Sequence, residues 1–113
     1  MAITDTATLM PTGLQPGNSL VLLPGGEALF AALVEAMDAA QVSIHLETYI
    51  FDFQGAPLAV AEAMERAARR GTEVRLVVDG VGTGPPPPAW QERFDAAGVQ
   101  CRVYAPLGRL GLL

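Results

Sequence analysis

Stretches with a two-residue hydrophobic period alternate along this chain with stretches of helical period, and that alternation constrains the fold more than any other feature. The run "SLVLLPGG" reads as a short apolar strand stopped by Pro24, Gly25 and Gly26. A helix is expected from about Glu27 to Ala40, with Leu29, Phe30, Leu33, Val34 and Met37 at helical spacing. Residues 42–51, "VSIHLETYIF", then alternate as a strand. Val42, Ile44, Leu46, Thr48 and Ile50 point one way; Ser43, His45, Glu47, Tyr49 and Phe51 point the other. Pro57 suits the first turn of a second helix running to about Arg70, with Leu58, Ala61, Met64 and Ala68 as its apolar stripe. Glu62–Arg66 and Glu65–Arg69 are acid-to-base pairs four residues apart on it. "TEVRLVVDG" is a third strand ending at Asp79-Gly80, and "VGTGPPPP" leads into a third helix over about Ala89 to Ala97, where Trp90, Phe94 and Ala97 share a face. "VQCRVYA" is the fourth strand, followed by "PLGRLGLL". The order β-α-β-α-β-α-β predicts an α/β fold: a mainly parallel sheet, right-handed crossovers, and helices on its faces. Residues 1–18, broken by Pro11, Gly13, Pro16 and Gly17, read as a flexible leader, leaving 19–113 as the domain.

At 113 residues the chain is one domain or part of one. Half its residues are hydrophobic and 17% are charged, which excludes a disordered segment. The net charge is −5, and all seven basic residues are arginine, so no electrostatic attraction to nucleic acid is expected. A single cysteine, Cys101, excludes a disulfide framework and a cysteine-built zinc cluster; it reads as a small apolar strand residue. The N-terminus lacks the basic region and apolar core of a signal peptide. No uninterrupted apolar stretch approaches the roughly 18–20 residues of a membrane span, so any meeting with a membrane is expected to be peripheral.

Helix-covered strands usually read as continuous Val, Ile and Leu, so His45, Glu47 and Tyr49 along one strand face call for a reason. In parallel sheets ligands gather at the carboxyl ends of the strands. Glu47, Tyr49 and Asp52 lie toward that end of one strand and Asp79 at that end of the next, so the polar face is a candidate site wall. His45 suits a base, nucleophile or metal ligand, or a structural histidine hydrogen-bonded within the sheet. Glu47, two residues along on the same face, can meet it, either to orient the imidazole or simply to satisfy two polar groups. A carboxylate on an inner strand needs partners or water. Tyr49 reads chiefly as packing with its hydroxyl satisfied, and Asp79 either as a site residue or as the anchor of the turn that follows. "GVGTG" lacks the Lys-Ser/Thr of a P-loop, and Pro85 to Pro88 read as a stiff spacer. There is no nucleophile elbow and no catalytic triad. These residues alone do not define a reaction.

The ordered segments "NSLVLLPGGEALFAALVEAMDAAQVSIHLETYIFDFQG", "AMERAARRGTEVRLVVDGVGT" and "FDAAGVQCRVYAP" resemble the opening of bacterial cardiolipin synthases of the phospholipase D superfamily. The resemblance covers about residues 18–106. Its most specific parts are Glu47-Thr48-Tyr49-Ile50-Phe51, Ala67-Ala68-Arg69-Arg70-Gly71 and Asp79-Gly80-Val81-Gly82. It implies an enzyme of two similar lobes, each supplying a His-x-Lys-x4-Asp motif. One histidine forms a phosphohistidine, the other protonates the leaving group, and the lysines hold the phosphate charge; no metal or cofactor is implied. The activity implied is transfer of a phosphatidyl group from one phospholipid to the alcohol of another.

The chain departs from that pattern. It has no lysine, and Glu47 stands where the motif after a histidine at position 45 needs one, so His45 is not the motif histidine. In the resemblance the first motif follows shortly after the segment matching "VYAPLGRLGLL", so its His, Lys and Asp are expected beyond Leu113. No catalytic residue is therefore expected in this chain. Glu47, Tyr49, Asp79 and His45 are left as site-supporting candidates. The expectation is the first part of a catalytic lobe, inactive alone, that meets the phospholipid and the membrane surface through the rest of its own polypeptide. Its expected location is the bacterial cytoplasm or the cytoplasmic face of the inner membrane. The alternatives are another phosphodiesterase of the superfamily, and a non-catalytic α/β module that binds or oligomerises through an exposed sheet edge.

Overall fold

A computed structural model describes residues 2–3, 13 and 15–105. They form β1 (Ala2–Ile3), β2 (Leu20–Val21), α1 (Gly26–Ala39), β3 (Ser43–Thr48), α2 (Pro57–Arg69), β4 (Glu73–Asp79), α3 (Pro88–Ala97) and β5 (Val99–Tyr104). The α/β class and the helix–strand order from residue 26 onward agree with the sequence reading. β3, β4 and β5 make a parallel sheet in that spatial order. Its register places Ile44, Val74 and Val99 in one row and Leu46, Leu76 and Cys101 in the next.

The first expected strand does not join this sheet. Leu20–Val21 instead pairs antiparallel with Ala2–Ile3. An unalternating apolar run cut short at Pro24 presents no single face for the main sheet to cover, and Leu20 to Leu23 remain exposed. The expected last segment, Pro106 to Leu113, lies outside the described residues. The domain boundary drawn at Leu113, and the motif expected beyond it, therefore fall outside them as well.

The helices lie against one face of the sheet. α2 supplies Val60, Ala61, Ala63, Met64 and Ala67 to the core, α3 supplies Trp90 and Phe94, and the sheet supplies Ile44, Val74, Leu76, Val78 and Val99. α2 buries more than the single stripe expected of it because it packs against α1, α3 and the sheet together. Its alanines let the neighbouring elements approach closely. Phe53, in the loop after β3, closes the core against α3, with its ring centroid 5.6 Å from Trp90 and 5.9 Å from Phe94.

The arginines of α2 tie the helices together. Arg66 donates to both carboxylate oxygens of Asp38 on α1, each at 3.1 Å. The expected Glu62–Arg66 pair is thus superseded by a bidentate contact that an intrahelical partner cannot match in geometry. Glu65 does meet Arg69, at 3.9 Å, but its closer partner is Arg93 of α3, at 2.8 and 2.9 Å. Arg70 donates to the carbonyls of Met37 and Ala40, and the Thr72 hydroxyl donates to Ala40 as well. The "AARRGT" segment therefore satisfies carbonyls that α1 leaves free at its C-terminal end.

Candidate functional site

With the helices on one side, the alternate strand residues fall on an uncovered face. His45, Arg75 and Gln100 form one row across it, and Glu47, Val77 and Arg102 the next. These residues line a shallow depression of about 390 Å³. The polar residues of β3 thus lie on the face that no described helix covers. Among the described residues β3 is the edge of the three-stranded sheet rather than the inner strand expected, and Glu47 is exposed. Among the described residues no hydrogen bond or ion pair joins Glu47 to His45, so this carboxylate does not orient the imidazole. Arg75 is held by Glu73 at 2.6 Å.

At the carboxyl ends of the strands, Glu47, Thr48, Tyr49, Val77, Val78, Asp79 and Tyr104 line a second depression of about 500 Å³. Tyr49, expected to pack, is 59% exposed there. Asp79 anchors the turn: its Oδ1 accepts the N–H groups of Val81 (2.7 Å) and Gly82 (3.2 Å). Its carbonyl accepts those of Thr83 and Gly84, both at 2.9 Å. This is the local Asx geometry that aspartate at a strand end favours. The candidate residues Glu47, Tyr49 and Asp79 are therefore brought together at one rim, with His45 further back on the open face.

Thr83 is the residue the sequence reading missed. Its hydroxyl donates to the Tyr49 carbonyl at 2.8 Å and accepts the Phe51 N–H at 2.8 Å. Its only sequence signal was a hydroxyl residue between two glycines. Gly82 beside it touches Tyr49 so closely that a Cβ would collide with the Tyr49 carbonyl and come within 3.0 Å of its ring.

The rim offers hydrogen-bond acceptors and two exposed phenols but pairs no nucleophile with a base. Among the described residues no group of three or more His, Cys, Asp or Glu side chains is placed to hold a metal ion. The arrangement offers groups that can wall and orient a ligand.

No family model matches the chain. Curated relatives do. Cardiolipin synthase B of Salmonella typhi is 34% identical over 101 residues, which is 89% of this chain and 24% of the relative. Cardiolipin synthase B of Escherichia coli strain K12 is 33% identical over the same span of 101 residues. Cardiolipin synthase 1 of Staphylococcus epidermidis is 30% identical over 93 residues, 82% of this chain and 19% of the relative. The parallel α/β layer with its polar rim is thus a bacterial cardiolipin synthase-like segment. It spans about a quarter of the length of the cardiolipin synthase B relatives it matches.

Proposed function

We propose that this chain forms part of a catalytic lobe in a phospholipase D-type phosphatidyltransferase that makes cardiolipin. The observation that carries the reading is 34% identity to a cardiolipin synthase B over 89% of the chain. In the proposed reaction a histidine nitrogen attacks the phosphorus of a donor phospholipid. The N–P bond forms as the P–O bond to the leaving alcohol breaks, and a second histidine gives that alcohol its proton. The hydroxyl of the acceptor lipid then attacks phosphorus, losing its proton to the second histidine, and the N–P bond breaks. Covalent catalysis and cationic stabilisation of the phosphoryl oxygens lower the barrier.

These 113 residues contain no lysine, and their one histidine, His45, lacks the motif around it. The reacting groups therefore belong to other parts of the protein, and this chain's share is the rim of Glu47, Tyr49 and Asp79. No helix among the described residues is long and apolar enough to cross a membrane.

The test is to incubate the complete protein containing this segment with phosphatidylglycerol vesicles and measure cardiolipin by mass spectrometry. Cardiolipin formation is expected from the complete protein and none from the 113-residue chain. Release of phosphatidic acid without cardiolipin would instead place the protein among the hydrolases of the superfamily. A stable complex with no turnover of any phosphodiester would make the segment an assembly module.

A further inference from the structure

We infer that Thr83 is a positioning residue for the phosphatidyl-transfer site, holding the wall that bears Glu47 and Tyr49; the inference rests on the function proposed above. β3 ends at Thr48, and beyond it the chain has no strand partner among the described residues. The Thr83 hydroxyl supplies one. A residue in a parallel ladder bonds a carbonyl and an N–H that lie two positions apart on its neighbour. Thr83 Oγ1 does the same to Tyr49 and Phe51, with both contacts at 2.8 Å. One side chain thus extends the sheet by a rung where the backbone ladder stops.

The latch is anchored independently of what it holds. The Thr83 N–H donates to the Asp79 carbonyl, and the Asp79 carboxylate takes the N–H groups of Val81 and Gly82. The loop is therefore shaped by β4, with the Gly80 N–H held by the Tyr104 carbonyl of β5 at 2.7 Å, and presents a fixed hydroxyl to the chain leaving β3. Gly82 completes the contact by having no side chain: its α-carbon fills the space against the Tyr49 carbonyl and ring. The result is an exposed Tyr49 ring on a fixed backbone, two residues from Glu47, at the strand ends where ligands of parallel sheets gather. A wall that touches the headgroup must be set to within a fraction of an ångström for transfer, and an exposed loop without such a clamp would not hold it.

The experiment uses the complete protein and three variants: Thr83→Val, which keeps the shape and removes the hydroxyl, Thr83→Ser, which keeps the hydroxyl, and Gly82→Ala. Cardiolipin formation from phosphatidylglycerol vesicles gives kcat and KM, and hydrogen exchange reports the Phe51 amide. Thr83→Val is expected to lower kcat/KM by roughly 10- to 100-fold, the size of effect that a small misplacement produces. Phe51 should then exchange faster, and Thr83→Ser should restore both readouts. A working wild-type enzyme whose kcat and KM are unchanged by Thr83→Val overturns the inference, as does a Thr83→Ser enzyme as impaired as Thr83→Val. Should Thr83→Val fail to fold, Gly82→Ala decides: it forces the loop and Tyr49 apart while keeping the hydroxyl, and an unaltered rate overturns the inference. A wild-type protein that makes no cardiolipin overturns the proposed function itself and the role with it. The Phe51 exchange rates then still show whether the latch exists.

Discussion

Gly82 and Tyr49 meet backbone to backbone, so that the turn after β4 and the chain leaving β3 form a single rim. The contact joins "ETYIF" and "DGVG", two of the three segments that carry the resemblance to cardiolipin synthases. Substituting Gly82 by alanine forces one of them to move. Overpacking of this kind typically costs about 1–3 kcal/mol. Gly26 offers the contrast, since a Cβ there meets only Phe30, at an ordinary 3.7 Å. Chemical denaturation should show a clear loss for Gly82→Ala and little change or a slight gain for Gly26→Ala.

Phe94 is fully buried between Phe53, Trp90 and the sheet. Truncating it to alanine removes a large apolar contact and leaves a cavity under α3, for an expected loss of about 3–5 kcal/mol. Trp90 fluorescence reports the transition directly, because its ring lies 5.3 Å from Phe94. An unfolding midpoint unchanged by Phe94→Ala would contradict the described core.

The Glu65–Arg93 pair gives stability a pH dependence. Hydrogen bonds from Arg93, with its charge and that of Arg69, hold the Glu65 carboxyl below its ordinary value, while partial burial opposes them. A carboxyl lowered on folding stabilises above its unfolded pKa, and that contribution is lost as pH falls through the lowered folded value. Wild type should therefore exceed Glu65→Gln in melting temperature at pH 7. The gap should narrow as the pH drops below the ordinary glutamate range.

Arg70 caps another helix. Removing its guanidinium leaves the Met37 carbonyl with the Ala40 N–H alone and the Ala40 carbonyl with the Thr72 hydroxyl alone at the end of α1. Arg70→Ala should cost about 1–2 kcal/mol, because hydrogen bonds to charged groups are worth about 1.5–3 kcal/mol and both carbonyls keep a second partner. The effect should be local: hydrogen exchange should speed up in the last turn of α1, with β4 and β5 unchanged.

Burial raises the pKa of the Cys101 thiol, and Asp95 adds to the shift. Little thiolate is then present near neutral pH, and the sulfur packs against the core. Disulfide exchange with a thiol reagent at pH 7.5 should be much slower in the folded protein than in urea.

The element order was legible because periodicity changes from 2 to 3.6 at each boundary, and Pro57, Pro88 and Gly98 punctuate the helices. The polar face of β3 was legible in His45 and Glu47 for the same reason, but that no described helix covers it was not, because helices were expected on both faces of the sheet. Strand neighbours were not. Nothing in "SLVLL" says that Leu20 pairs with Ile3 rather than with the main sheet. Nothing in "VSIHLE" marks β3 as an edge. Pairings set by tertiary packing were equally hidden: Arg66 turns to Asp38, 28 residues away, and Thr83 reaches Tyr49 across 34. The aspartate–glycine turn could be read locally, but the hydroxyl it delivers to the neighbouring loop could not.

The most direct test of the central claim is phosphatidyl transfer by the complete protein on vesicles of phosphatidylglycerol labelled in the free headgroup glycerol. Cardiolipin is expected together with released labelled glycerol, one molecule of each per turnover. Phosphatidic acid with the same glycerol release, and no cardiolipin, would contradict that claim.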